Sequence, residues 1–340
     1  MGRVSSPGTS EDGTSLNGPI GLIGLGGTIA MTAGQSGLAP GLSLADLARP
    51  IGRESPKLRV REMASTASAN LGFDDLIDVA REIATLRAEG AEGVVVVQGT
   101  DSLEETAFAL ELLTGRQTPI VFTGAMRAAS QAGADGPANL ANAVTVARSG
   151  VCAAGVLVVM NDEIHAARYV TKTHTTALDA FSSGDEGPIG RIHESRARLL
   201  RSSLPDLGVH PLPRGGSLPK VALIKVAMGQ DRDLLDALPR LGYRGCVIEA
   251  MGAGHVPASL VQSVQQLAEQ MPVVLCSRTG RGRICEATYG YAGSETDLLS
   301  RGLVGAGALG GLKARVALTI LLARPEVDPN AAFRAIVQRI

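Results

Sequence analysis

The segment Ile20-Gly21-Leu22-Ile23-Gly24-Leu25-Gly26-Gly27-Thr28-Ile29-Ala30 decides how the rest of the chain reads. The stretch from Ile20 to Leu25 carries no charge and runs into a glycine pair and a threonine. Such a run, bounded by a turn signal, is the pattern of a strand covered on both faces, as in a parallel sheet flanked by helices. The pattern returns at Gly93–Val97, Pro119–Thr123 and Gly155–Met160. Between the runs, Phe73, Leu76, Ile77, Ala80, Ile83 and Ala84 recur at helical spacing, as do Leu103, Ala107, Leu110 and Leu113. Strands alternating with amphipathic helices predict βαβ units.

With 340 residues, of which 45% are hydrophobic, the chain has material for two ordinary cores. Residues 1–17 are polar and aperiodic, which predicts a disordered tail. Residues 204–219 are rich in Pro and Gly and read as a linker. The expected architecture is α/β. A larger N-terminal domain, residues 18–203, carries a doubly wound, mostly parallel sheet, and a smaller C-terminal α/β domain occupies 220–340. In the latter, Lys220–Val226, Gly245–Glu249 and Pro272–Cys276 read as strands. Leu234–Leu238, Pro257–Met271 and Leu312–Ala323 read as helices, with Pro257 suited to a first turn.

Composition narrows the function. A formal charge of −1, with basic residues spread along the chain, offers no stripe to neutralise a phosphate backbone, so no nucleic acid is expected as partner. Aromatics make up 3% with no Trp, a poor basis for a stacking platform. Apolar runs stay short of the roughly 18 residues that span a bilayer, and the start has no basic and apolar leader pattern, so the expectation is a cytoplasmic protein without a membrane contact. Cys152, Cys246, Cys276 and Cys285 form no C-x-x-C pair and read as buried free thiols. The five histidines show no ligand spacing, so no metal is expected. Small-molecule chemistry remains.

In open parallel sheets ligands bind outside the carboxyl ends of the strands, which directs attention to the residues just after each run. The first end presents Gly26, Gly27 and the hydroxyl of Thr28. The second reads Gln98-Gly99-Thr100-Asp101-Ser102-Leu103-Glu104-Glu105-Thr106, where Thr100, Asp101 or Ser102 could equally cap the following helix. The third reads Gly124-Ala125-Met126-Arg127 and leads to Asp135-Gly136-Pro137, with the proline suited to a helix start. The fourth reads Tyr169-Val170-Thr171-Lys172-Thr173. Lys172 stands out because the basic residues comprise 27 arginines and only 5 lysines. An ammonium can lose its proton in a desolvated crevice and a guanidinium cannot, so a Lys kept among arginines is a candidate for proton transfer.

These four segments, together with Asn161-Asp162 and in this order, resemble the bacterial-type L-asparaginase/glutaminase family over nearly the whole chain from Pro19. The resemblance implies hydrolysis of L-asparagine to L-aspartate and ammonia through a threonyl acyl-enzyme, by a homotetramer of two-domain subunits with no cofactor. It implies Thr28 as nucleophile, and Thr100 and Lys172 with Asp101 as the group that activates Thr or water. Asp101 then also receives the substrate's α-ammonium, and Ser68 holds its α-carboxylate. Gly27, Gly99 and Ala125 line the substrate crevice, and Glu286 corresponds to a glutamate that reaches a neighbouring subunit's site. The chemistry is coherent: a neutral hydroxyl attacking an amide needs a proton acceptor, a proton for the departing ammonia, and donors waiting for the oxyanion.

Two departures carry expectations of their own. Members of the family usually place a Tyr in the loop after the nucleophile, whereas residues 31–50 contain none; that Gly-rich loop could still act as a lid. Ala69 stands where a substrate-binding Gln often follows the Ser, so substrate affinity is expected to be low. Glutamine or another short amide remains open as substrate, because one methylene discriminates by only about 1–3 kcal/mol. So does a non-catalytic amino-acid-binding role. A dinucleotide-dependent oxidoreductase fits less well: the third glycine of its fingerprint would fall at Ile29, and Asp46 is a loose match for the ribose acid.

Overall fold

The computed structural model describes residues 16–34, 36–51, 57–63, 66–212 and 217–340. Most of the expected tail and part of the expected linker, residues 213–216, lie outside them. Strand β1 (Ile20–Gly24) is buried along its length. It is followed by a hairpin of β2 (Met31–Gly34) and β3 (Gly37–Pro40), helix α1 (Leu44–Ala48) and strand β4 (Leu58–Glu62). Helix α2 (Phe73–Ala88) then leads to β5 (Gly93–Val97), α3 (Leu103–Leu113), β6 (Ile120–Thr123), α4 (Gly136–Arg148) and β7 (Leu157–Met160). Short strands follow: β8 (Glu163–Ala166), β9 (Thr171–Lys172), β10 (Phe181–Ser182), β11 (Gly190–His193) and β12 (Arg196–Leu199).

The large sheet has the order β12-β11-β8-β7-β6-β5-β1-β4. Pairings from β4 to β7 are parallel, whereas β7–β8, β8–β11 and β11–β12 are antiparallel. The apolar central strands are legible in the sequence because both faces are covered. Alternate side chains feed two cores: Ile23, Val94, Val96, Phe122 and Val158 join the helices α2 and α3, while Leu22, Val95, Val97, Val121 and Leu157 join α4. Edge strand β4, with sequence Leu-Arg-Val-Arg-Glu, has no such signature; Arg61 instead pairs with Glu82 and Glu89 of the α2 region.

The C-terminal half builds a parallel sheet of β13 (Lys220–Lys225), β14 (Tyr243–Ala250), β15 (Val273–Ser277) and β16 (Val304–Gly305), in that order. Helices α5 (Asp233–Ala237) and α6 (Val261–Gln270) pack against one face. Helices α7 (Glu295–Ser300), α8 (Gly311–Leu322) and α9 (Pro329–Val337) complete the chain. Where a helix was expected to begin at Pro257, the residue is extended, with ψ 140°, and precedes a single 3₁₀ turn, Ala258–Leu260.

Helix α3 ties the two halves together. It is buried on nearly all sides because α8 covers the face that the large sheet leaves free. Phe108, Leu110 and Leu112 share one core with Ala314, Leu318 and Phe333. On the same helix Glu111, 3% exposed, forms a buried ion pair with the fully buried Arg168. Burial pushes the Glu111 carboxyl upward, against the pull of Arg168 beside it. Arg168 also donates to the carbonyls of Pro205, at 2.8 Å, and Arg339, at 3.2 Å, and Arg116 donates to that of Leu204 at 2.6 Å. The chain leaving the large sheet and the chain's last helix are thus fastened to one ionic cluster.

Removing one partner of a buried pair leaves the other charge uncompensated. Glu111→Ala should therefore destabilise the protein by about 3–5 kcal/mol. The double change Glu111→Met with Arg168→Met should cost less than Glu111→Ala alone. Thermal unfolding of the three proteins tests this; equal melting temperatures for Glu111→Ala and the parent would refute it.

Candidate active site

Strand β1 connects on one side to β4 and lies against β5 on the other, so the order of winding reverses beside it. At such a switch point the loops leaving adjacent strands diverge and open a crevice. Gly26 and Gly27 turn the chain there with φ of 84° and 98°, values that side chains rarely tolerate. A Cβ on Gly27 would stand 2.2 Å from the Gly99 amide nitrogen, so the turns after β1 and β5 touch backbone to backbone. Thr28 opens a 3₁₀ turn in which Ile29 is buried, which leaves Thr28 half-buried at the crevice.

The second strand end supplies the charged group. Lys172 donates from Nζ to Thr100 Oγ1 at 2.9 Å and to Asp101 Oδ1 at 2.8 Å. Thr100 is buried, and the Lys172 side chain is 15% exposed against 67% for Asp101, so the contact runs from the protein's interior toward solvent. A hydroxyl that accepts from Nζ keeps its own proton to donate elsewhere. Farther along the motif, burial and the like charge of Glu104 push the Glu105 carboxyl upward.

Ser68 joins from another direction. It is 2% exposed, accepts the Asp101 N–H at 3.1 Å on its Oγ, and accepts from Ser102 Oγ on its carbonyl at 2.8 Å. A Cβ on Gly99 would meet Ser68 Oγ at 2.7 Å, so that glycine permits the approach. Ala69 is exposed beside it. At the third strand end Ala125 is buried, and a Cβ on Gly124 would meet the Gln98 carbonyl at 2.6 Å. The Asp135 carboxylate accepts the Met126 and Arg127 N–H groups at 2.9 Å each. Asn139 bridges onward, donating to the Gly124 carbonyl at 3.1 Å and accepting the Asn161 N–H at 3.0 Å. The Asp135-Gly136-Pro137 and Asn161-Asp162 segments therefore brace the site.

The structure brings Gly27, Thr28, Ser68, Gly99, Thr100, Asp101, Ala125 and Lys172 to neighbouring turns. Glu286 stays apart, exposed on a loop of the C-terminal half, and no hydrogen bond or ion pair among the described residues ties it to the crevice. Lys172 also corrects the sequence reading. Its segment does not follow a parallel strand; it follows antiparallel β8 and pairs in a separate two-stranded sheet, Lys172 opposite Phe181. The loop after Thr28 is the β2–β3 hairpin, tied to the third strand end by hydrogen bonds from Ala129 N to the Met31 carbonyl and from Ala33 N to Ser130 Oγ. Sequence reasoning missed the brace Asn139, whose position in the first turn of α4 was the available signal, and the Ser68 to Ser102 bond, which joins residues far apart in the chain. Among the described residues no helix is long and apolar enough to cross a membrane.

The comparisons with known proteins agree with this arrangement. Residues 19–204 match the family described as Asparaginase, N-terminal, and residues 220–335 match the Glutaminase/Asparaginase C-terminal domain. The chain is 34% identical over 313 residues to an L-asparaginase of Bacillus licheniformis, covering 91% of this chain and 96% of that one. It is 34% identical over 323 residues to a probable periplasmic L-asparaginase of Haemophilus influenzae, covering 92% and 90%. The crystal structure of a probable cytoplasmic L-asparaginase from Campylobacter jejuni superposes with a TM-score of 0.81 at 31% identity, covering 94% of this chain and 99% of that one. The chain belongs to the bacterial-type asparaginase family and is an L-asparaginase-type amidohydrolase.

Proposed function

We propose that the chain hydrolyses L-asparagine through an acyl-enzyme on Thr28, with Thr100, Asp101 and Lys172 as the proton-handling group. The observation that carries this reading is the Lys172 Nζ contact with both Thr100 and Asp101, beside the touching turns of Gly27 and Gly99. Thr28 Oγ attacks the side-chain carboxamide carbon and gives up its proton; the C–N bond breaks as ammonia takes a proton and leaves. Water, activated at Thr100, then cleaves the ester to release L-aspartate and restore the hydroxyl. Backbone N–H groups of the glycine turns, with Thr100, face the oxyanion. Asp101 receives the α-ammonium, Ser68 the α-carboxylate, and Gly27, Gly99 and Ala125 line the crevice. With no Tyr in the loop after Thr28, the proton passes through the Thr100 hydroxyl to the neutral amine form of Lys172, and Asp101 pairs with the ammonium so formed.

Ala69 removes one polar substrate contact, worth roughly 1–3 kcal/mol, and so raises KM by about one to two orders of magnitude over a relative that keeps it. The domains divide at residues 204–219 into units 18–203 and 220–340. The working form is a homotetramer in which Glu286 reaches a neighbouring subunit's site. A cytoplasmic location is supported by the description of the Campylobacter jejuni protein and opposed by that of the Haemophilus influenzae relative; fractionation of the producing cells separates the two.

Thr28→Ala and Thr100→Ala should each lower kcat by on the order of a thousandfold or more while leaving thermal unfolding unchanged. Ammonia release at wild-type rate from either would refute the roles. Lys172→Met should be nearly inactive and Lys172→Arg should not rescue it, because a guanidinium stays protonated; full activity of the Arg variant would reduce Lys172 to a fixed charge. An ammonia assay across L-asparagine, L-glutamine and D-asparagine at millimolar concentrations should show turnover with L-asparagine. Binding without ammonia would point to a sensor.

A further inference from the structure

A cavity of about 360 Å³ opens apart from the crevice of Thr28 and Thr100, neither of which lines it. It lies where the two halves meet. One wall is formed by the carboxyl ends of the C-terminal parallel strands, at Lys225, Glu249 and Ser277, the position where parallel sheets present ligand sites. The volume falls within the range of small-molecule pockets, near its lower end. Arg278, Arg281 and Arg283 all line it from the loop after β15.

The charges in this cavity do not balance. Glu249 is matched by Lys225 at 3.3 Å, Glu104 by Lys313 at 3.3 Å and Glu186 by Arg201 at 3.2 Å. Arg168 is matched by Glu111. Among the lining side chains, what is left is Asp185 on one side and the three arginines on the other, and none of the three has a carboxylate side-chain partner among the described residues. Arg278 spends one N–H on the Val226 carbonyl at 2.6 Å; Arg281 rests against Gly184, and Arg283 lies over Gly307. All three arginines are exposed at the mouth of the cavity, and guanidinium groups lining one concave site without a carboxylate partner favour a compact anion of two charges, bound by forked hydrogen bonds.

The same cavity reaches the proton-handling group from behind. Thr171 and Thr173, which flank Lys172, line it, and so does Glu104, three residues after Asp101. Lys313, buried in the first turn of α8, holds Glu104 and the Val170 carbonyl at once. An anion that draws the arginine loop inward therefore presses on the segments that carry Lys172 and Asp101.

We propose that this cavity is an effector site for a small dianion, phosphate or dicarboxylate, held by Arg278, Arg281 and Arg283, whose occupancy alters turnover through the strand that carries Lys172. Binding does not depend on the proposed catalytic roles, so it is measured first by titration calorimetry on the full-length Thr28→Ala protein, with inorganic phosphate and succinate as separate probes. Saturable binding of either is expected, with affinity reduced about tenfold or more in Thr28→Ala combined with Arg281→Gln and Arg283→Gln. Phosphate preference would assign a tetrahedral anion, and succinate preference a dicarboxylate. In the parent enzyme the preferred probe should change kcat/KM for L-asparagine at least twofold, and Arg281→Gln with Arg283→Gln should keep the basal rate and lose the response. Absence of saturable binding, binding unchanged by the arginine substitutions, or binding without a kinetic response would each overturn the proposal.

Discussion

The backbone of Gly27 lies so close to that of Gly99 that no side chain fits between them, and the site depends on that approach. It occurs where the winding of the sheet reverses, so two loops that would otherwise part are held edge to edge. Without a Cβ on either residue, the turn that leads into Thr28 meets the turn that leads into Thr100, and Ser68 closes on the Gly99 turn. A methyl group at Gly27 would have to displace main chain, which cannot yield as a long side chain can. Two glycines thus position three hydroxyl-bearing residues.

The halves of the molecule are held by a different constraint. Helix α3 begins just after the second strand end and runs between the large sheet and α8. Its burial on nearly all sides gives the turn of Thr100 and Asp101 at its start a rigid support, and it also carries Glu111 to Arg168. That ion pair sits where burial alone would oppose both charges. It persists because Arg168 and Arg116 also satisfy the carbonyls of Pro205, Arg339, Ala153 and Leu204. Polar groups that would otherwise be stranded at the junction of the halves are paired there.

Reading order along the chain explains why some parts of this fold were legible and others were not. Strands β1, β5, β6 and β7 announce themselves because they are covered on both faces and so must be apolar throughout. Strand β4 hides because its exposed edge admits two arginines and a glutamate, and the antiparallel strands beyond β7 hide because they are short and mixed in character. Lys172 drew attention by composition, as a rare lysine among many arginines, although the element that carries it was misread.

The amino-acid sequence by itself determined the α/β class, the central strands with their helices, the family resemblance, and which hydroxyls, carboxylate and amine stand at strand ends. These are local matters of periodicity, turn chemistry and motif order. Only the tertiary structure decided that Lys172 meets Thr100 and Asp101, that Ser68 closes on Gly99, and that Glu286 stays away from its own chain's crevice. It also decided that three arginines share a cavity with the strand beside Lys172. Each of these is a contact between segments far apart in the chain, set by how the sheets twist and how closely backbones approach, and no local pattern encodes that distance.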